Sequence, residues 1–338
     1  MLSLTNLQFS LLLLIWFELA AFIVMDGADF GTGMATAFYR ETEYKNSLVR
    51  SIGPVWSGRE TWMVTAFAVM FAAFPGWYSV MFSGFYPIFI LLLVSLAFRG
   101  VAFEYFDKWK SHNYNQFWRV IFVISNILPP FIFGELFALL NSGLPIGKDP
   151  QLYFDLGMLF QPLSLVTGVM FVLFSLQIGL IRSEKFIDGK YLHFIQRNIK
   201  RLNIINFLGF IVEAVLFINL GSGMKQHPVV TLLSLLVVLG ALLWIVLNKR
   251  KTNRLSYTLS IIAISVFTIM FFWSMFPNVM MSTEGHNLTA VAAASARESQ
   301  LWVAWLVALM FILITIIQMI VHYVVNKKYN VKDNQINY

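Results

Sequence analysis

The chain has 338 residues, of which 58% are hydrophobic and only 12% charged, and its mean hydropathy is +0.71. A soluble domain is nearer half apolar and a quarter charged, so too few polar side chains remain to cover a water-facing surface, and the solvent must be mostly lipid. The absence of cysteine excludes disulfides, iron–sulfur clusters and thiolate metal sites, while the net charge of +7 reports membrane orientation through its distribution rather than nucleic-acid binding.

A spanning helix needs about 20 mainly apolar residues. That template predicts an all-α polytopic membrane protein, a single integral-membrane domain over 1–338. Its nine predicted transmembrane helices cover about 8–28, 58–76, 79–99, 117–140, 160–181, 203–222, 229–247, 256–276 and 301–325. The first run lacks a basic leading segment and a small-residue cleavage site, so it reads as a retained helix rather than a signal peptide. The second and third are joined by a turn at Pro75 and Gly76. Pro129–Pro130 are expected to kink the fourth helix and Pro277 to end the eighth. Gly27, Gly31 and Gly33 let the inner end of the first helix approach another helix closely, and a partner subunit is the expected neighbour.

Of the 24 lysines and arginines, twenty fall on alternate loops and the tail, and only Lys148, Lys225 and Arg297 fall on the opposite side. Arg59 stands at the foot of the second helix. This bias predicts an N-terminus outside and a cytoplasmic C-terminus.

Histidine is the natural haem ligand of helical membrane proteins. His112, His193, His227 and His286 fall in predicted loops, and His322 lies near the inner end of the last helix. No two face each other across a membrane core, so the chain is expected to bind no haem and no metal of its own. The acids carry more information, because ionisable groups inside a bilayer are costly and mark ion or proton routes. Glu18, Glu135 and Glu213 fall inside predicted helices, while Asp26, Asp29, Glu60 and Glu104 gather near the cytoplasmic ends of the first three. Glu18 and Asp29, eleven residues apart, differ by about 20° of azimuth and share a helix face. They suggest a carboxylate ladder leading inward from the cytoplasm. The alternative is that these acids pair with arginines or cap helices. Arg99 is expected to form a structural ion pair with Asp29 or Glu104, because its planar fork suits carboxylates.

The segment Asp26–Met34, DGADFGTGM, resembles the signature near the start of the cytochrome bd quinol oxidase subunit II family. GPVWSGRETW (Gly53–Trp62), FAAFPGWYSVMFSGFY (Phe71–Tyr86) and LAFRGVAFEYFDK (Leu96–Lys108) follow at the expected distances. MFPNVM (Met275–Met280), NLT (Asn287–Thr289) and SQL (Ser299–Leu301) also fit. Residues from about 140 to 270 match only in hydropathy and loop length.

The resemblance implies a bacterial cell-membrane heterodimer with subunit I, which carries haem b and haem d. The complex oxidises quinol, reduces dioxygen to water and generates proton motive force. A bound quinone and a small accessory subunit are further implied possibilities. No catalytic residue is assigned to this chain. Asp26, Glu104 and Ser57 are proton-path candidates carried over by position, and Asp29, Glu60 and Glu18 join them from the residue reading. Ser57 stands where many relatives have an acid; a serine relays a proton through water but stores none, and Glu60 is the nearest carboxylate. The main rival is a secondary transporter with buried carboxylates. Such proteins carry repeated halves with broken helices, and only the kinked fourth helix hints at that.

Overall fold

The computed structural model describes residues 4–38, 45, 48, 49, 52, 56–105, 112–149, 151–184, 190–248, 254–310, 312, 313 and 316. Helix α1 (Asn6–Ala35) opens on a capping box: the Thr5 hydroxyl accepts from the Gln8 amide, and the Gln8 side chain accepts from the Thr5 amide. It is followed by α2 (Trp56–Ala73), α3 (Pro75–Gly84), α4 (Tyr86–Tyr105), α5 (His112–Ser142), α6 (Pro162–Ser183), α7 (Lys190–Leu220), α8 (Pro228–Leu247) and α9 (Arg254–Met275). A two-stranded antiparallel hairpin, β1 (Asn278–Met280) and β2 (Leu288–Thr289), leads into the single turn α10 (Ala290–Ala293) and then α11, helical over 297–310. Proline begins α3, α6 and α8, where its missing N–H is no loss.

Seven helices among the described residues are long and apolar enough to cross a membrane, and the pair 58–73 and 75–84 is an eighth if counted as one bent span. The ninth predicted span is described only at its start.

Three expected boundaries are corrected. The first helix runs on past its expected end near residue 28, as far as Ala35, so the DGADFGTGM segment is helical. Glycine commonly ends a helix, but here Gly27 and Gly31 are held against α6. The expected second and third helices are divided differently. Phe74 leaves helical geometry before Pro75, as a residue preceding proline tends to, and the chain bends by 120° into the separate α3 before α4 begins. The sixth predicted helix starts at Lys190 rather than near 203, so Arg197, Lys200 and Arg201 ride on helix instead of loop. Helix α5 runs unbroken through Pro129 and Pro130, and α9 stops two residues before Pro277.

Helix α6 is the axis of the bundle. It packs on α1, α5, α7 and α9, and two-thirds of its apolar window (67%) is buried against 33% for α8. Glycines make the closest crossings: a Cβ on Gly31 would overlap the Ser175 carbonyl oxygen, and one on Gly134 would lie 2.8 Å from the Gly168 Cα. The Gly27/Gly31 surface is therefore filled from within the chain, which corrects the expectation of a partner subunit there. Gly33 meets Asn126 of α5.

The helix ends alternate. At one end of the bundle the loops are tied by backbone and hydroxyl bonds: Leu144 donates to Met281, Ser222 to Ser142, and Ser295 to Ala73. Two of the recognised C-terminal segments meet here, because Asn278 pairs with Thr289 across the hairpin. The opposite end is tied by charge.

Candidate functional site

At that charged end, α1 brings in Asp26 and Asp29, α2 brings Arg59 and Glu60, α4 brings Arg99, and α6 brings Arg182. Asp26, Asp29 and Arg99 are fully buried. Arg99 uses its fork to join two helices, with Nη2 donating to Asp26 at 2.9 Å and Nη1 to Glu60 at 3.1 Å. Its guanidinium lies 4.2 Å from the Phe30 ring centroid and 5.7 Å from that of Phe103, a cation–π arrangement that compensates lost hydration. Asp29 Oδ1 accepts from both Arg59 and Arg182, and Arg59 also donates to the Met25 carbonyl at 3.2 Å. The six side chains carry three charges of each sign. Burial of so many ions is tolerable only because each finds an opposite charge at hydrogen-bond distance.

The expected partner of Arg99 is thus replaced. Asp26 and Glu60 hold it, Asp29 being taken by Arg59 and Arg182. The reason is helical: Asp26 and Asp29 are three residues apart, about 60° around α1, so they address different neighbours. Glu104 is exposed near the end of α4. The backbone of Ser57 is helical, but its side chain lies outside the described residues, as does that of His112; His322 lies outside them altogether. Arg182 escaped the sequence reading. The available signal was that it is the one charged residue of α6 and stands at the charged end.

Asp26 Oδ2, Asp29 Oδ2 and Arg99 Nε make no hydrogen bond among the described residues. Such buried polar atoms mark places where water or a mobile proton is accommodated.

From this cluster a groove of about 420 Å³ runs along α2. Gly58, beside Arg59, begins it; Thr61 and Thr65 follow at one-turn intervals; Glu18 of α1 stands at its far polar limit, with Val303, Leu306 and Met310 of α11 as the facing wall. Glu18 is 3% exposed, its carboxyl faces the Thr65 hydroxyl, and its Oε2 has no partner among the described residues. Both carboxylates of the anticipated ladder therefore face α2, Asp29 at Arg59 and Glu18 at Thr65.

Glu135 and Glu213 are buried elsewhere, on α5 and α7. His193 and His286 are exposed, and the His227 ring nitrogen lies 2.8 Å from the Phe276 carbonyl. Among the described residues no three His, Asp or Glu side chains converge as metal ligands.

The family model described as cytochrome bd terminal oxidase subunit II matches residues 7–325. Cytochrome bd ubiquinol oxidase subunit 2 of Bacillus subtilis (strain 168) is 30% identical over 290 residues, 83% of this chain and 86% of that one. Cytochrome bd-I ubiquinol oxidase subunit 2 of Escherichia coli (strain K12) is 38% identical over 172 residues, 49% of this chain and 45% of the other. In fold, the chain is similar to a chain from the structure of bd oxidase from Geobacillus thermodenitrificans, with a TM-score of 0.71 at 14% identity over 94% of this chain and 98% of that one.

Proposed function

Since the chain belongs to the cytochrome bd terminal oxidase subunit II family, and so is a membrane-embedded component of a quinol oxidase, we propose that its ionic cluster and groove supply protons to oxygen reduction in subunit I. Family membership sets aside the secondary-transporter alternative. Subunit I carries the haems, b and d, and this chain, in the bacterial cell membrane with its charged end toward the cytoplasm, carries protons. Quinol and dioxygen are the substrates of the complex.

The observation that carries this reading is the continuity of polar groups through a medium that excludes ions. Glu104 at the surface of α4 is the entry candidate. Glu60, Asp26 and Asp29 follow in the cluster, and Thr61, Thr65 and Glu18 extend the line along the groove. Carboxyls store a proton and hydroxyls relay one, provided that they stand at hydrogen-bond spacing or are bridged by water. Three arginines prevent the acids from accumulating negative charge while they exchange protons. By helical rise Glu18 lies about 16 Å further into the membrane than Asp29, which moves the proton well past the bilayer surface.

A bound quinone is the second reading of the groove. Its walls are apolar and include Trp62, while the Thr61 and Thr65 hydroxyls and Glu18 offer the few polar contacts that orient a ring carbonyl.

The test is kinetic. Asp26→Asn and Glu60→Gln, each of which leaves Arg99 one carboxylate and one amide oxygen to bond, are expected to slow oxygen consumption per haem in the assembled fraction by about tenfold, about 1.4 kcal/mol of barrier. If both variants assemble fully and consume oxygen at the parental rate, the proton route is wrong.

A further inference from the structure

Between α6 and α7, away from the cluster, the Glu213 carboxyl is fully buried in a layer where aromatic rings replace ions. Phe210 and Phe217 flank it on α7 and pack against Phe267 and Phe271 of α9. The charges nearest along the packed helices are remote: α8 has none, α9 has only Arg254 at its start, and α6 has only Arg182, about 22 Å of helical rise from Thr167. On α7 itself the nearest cation is Arg201, exposed and about 18 Å of rise away. On α5, Glu135 adds a second acid, and the arginine of that helix, Arg119, lies about 24 Å of rise from it; its neighbour Gly134 crosses α6 at Thr167–Gly168.

The hydrogen-bond count then locates a proton. Thr167 Oγ1 lies 2.7 Å from the Leu163 carbonyl and 2.8 Å from Glu213 Oε1. A hydroxyl has one hydrogen. If Glu213 were a carboxylate, two acceptors would compete for that hydrogen, and a fully buried anion would be left with half a hydrogen bond. If Glu213 is a carboxylic acid, it donates to Thr167 and Thr167 donates to Leu163, so both short contacts are hydrogen bonds. We infer that Glu213 is a proton-binding site, a carboxylic acid kept neutral by its surroundings and donating to the Thr167 hydroxyl.

This site has an approach. Toward the charged end of the same interface, Gln177 donates to Asn203 at 2.9 Å and accepts from Asn206, whose own Oδ1 has no partner among the described residues. Between this amide group and Glu213 stands Met170, seated against Gly209, where an added Cβ would come within 2.8 Å of its sulfur. A flexible thioether is a movable plug, so the acid exchanges its proton with water along the α6–α7 seam. This inference is independent of the route proposed along α2.

Infrared spectroscopy of the purified oxidase complex tests it. The difference between the parental complex and Glu213→Gln is expected to contain the C=O stretch of a protonated carboxylic acid, and that band is expected to shift down in D₂O. Thr167→Val, which removes only the acceptor hydroxyl, is expected to shift the band up, and it carries the test by itself if Glu213→Gln does not assemble. Loss of carboxylate bands in place of an acid band would overturn the site. An acid band indifferent to Thr167→Val would overturn the assigned hydrogen bond, and one that does not move in D₂O would overturn the exchange.

Discussion

The cluster around Arg99 and the pocket of Glu213 solve one problem in opposite ways. Both place carboxyls where water is scarce. In the first, Asp26, Asp29 and Glu60 are matched by Arg59, Arg99 and Arg182 drawn from three helices. In the second, a hydroxyl, that of Thr167, bonds the buried acid, and the phenylalanines one turn to either side of it on α7 pack against those of α9. A paired anion fixes helices to one another, because removing any member strands the others. A neutral acid fixes nothing at a distance and leaves its proton available. In the cluster the same acids fix helices and exchange protons under the cover of arginines, whereas Glu213 holds its proton without a counter-charge, and substitutions that look alike on paper have different consequences in the two places.

The largest expected effect follows from Arg99→Ala. It strands Asp26 and Glu60 in the interior, and a broken buried pair costs about 3–5 kcal/mol, so the complex is expected to lose thermal stability sharply or fail to assemble. Arg99→Lys should recover only part of this, since one ammonium cannot span Asp26 and Glu60 as the guanidinium fork does. Equal stability of Arg99→Ala and the parental complex in a melting assay would contradict the assembly role. Next comes Asp29→Asn, which removes the negative charge that Arg59 and Arg182 share and leaves one neutral amide oxygen to accept. Those arginines keep some solvent, 25% and 16% of their side chains, so the expected cost is smaller, about 1–3 kcal/mol.

Much of this is legible in the sequence. Long apolar runs mark the spans, and the acids of the DGADFGTGM segment mark the place where charge gathers. What is not legible is tertiary. Gly27, Gly31 and Gly33 signal close approach but not whose backbone approaches; that it is α6 and Asn126 of the same chain depends on packing. The same packing keeps α1 helical through glycines that would otherwise end it. Pro75 announces a break, yet nothing local distinguishes a turn between two spans from a 120° bend into a separate short helix. Arg182 lies 153 residues from Asp29, too far for any periodicity to connect them. The Thr167–Glu213 bond is equally remote from sequence patterns, although Asn203, Asn206 and Glu213 do share one face of α7 by spacing.

Neutralising the acid of the second region is the milder change. Glu213→Gln is expected to alter stability by no more than about 1 kcal/mol, the worth of one altered hydrogen bond, against the larger loss for Asp29→Asn. Parallel melting curves of the two variants check this, and a drop for Glu213→Gln as large as that for Asp29→Asn would mean that Glu213 is an ion with a counter-charge.

The smallest effect is expected at Thr65, where the two modes of using acids meet. Its hydroxyl bonds backward to the Thr61 and Trp62 carbonyls at 2.9 and 3.0 Å and faces Glu18 across the groove. Those carbonyls already serve helix α2, so Thr65→Val removes little that holds the fold, and stability is expected to stay within about 0.5 kcal/mol, as for substitutions outside the main packing and ionic contacts. Proton delivery is different, because a relay is limited by its weakest step and valine offers no oxygen for one. Oxygen consumption is expected to fall about threefold, roughly 0.7 kcal/mol of barrier. Thr65→Ser, which keeps the oxygen, is expected to restore the rate. The pair of variants distinguishes a relay from mere packing: if serine and valine give the same rate, the groove carries no protons past Thr65, and Glu18 belongs with Glu213 as an acid apart from the cluster.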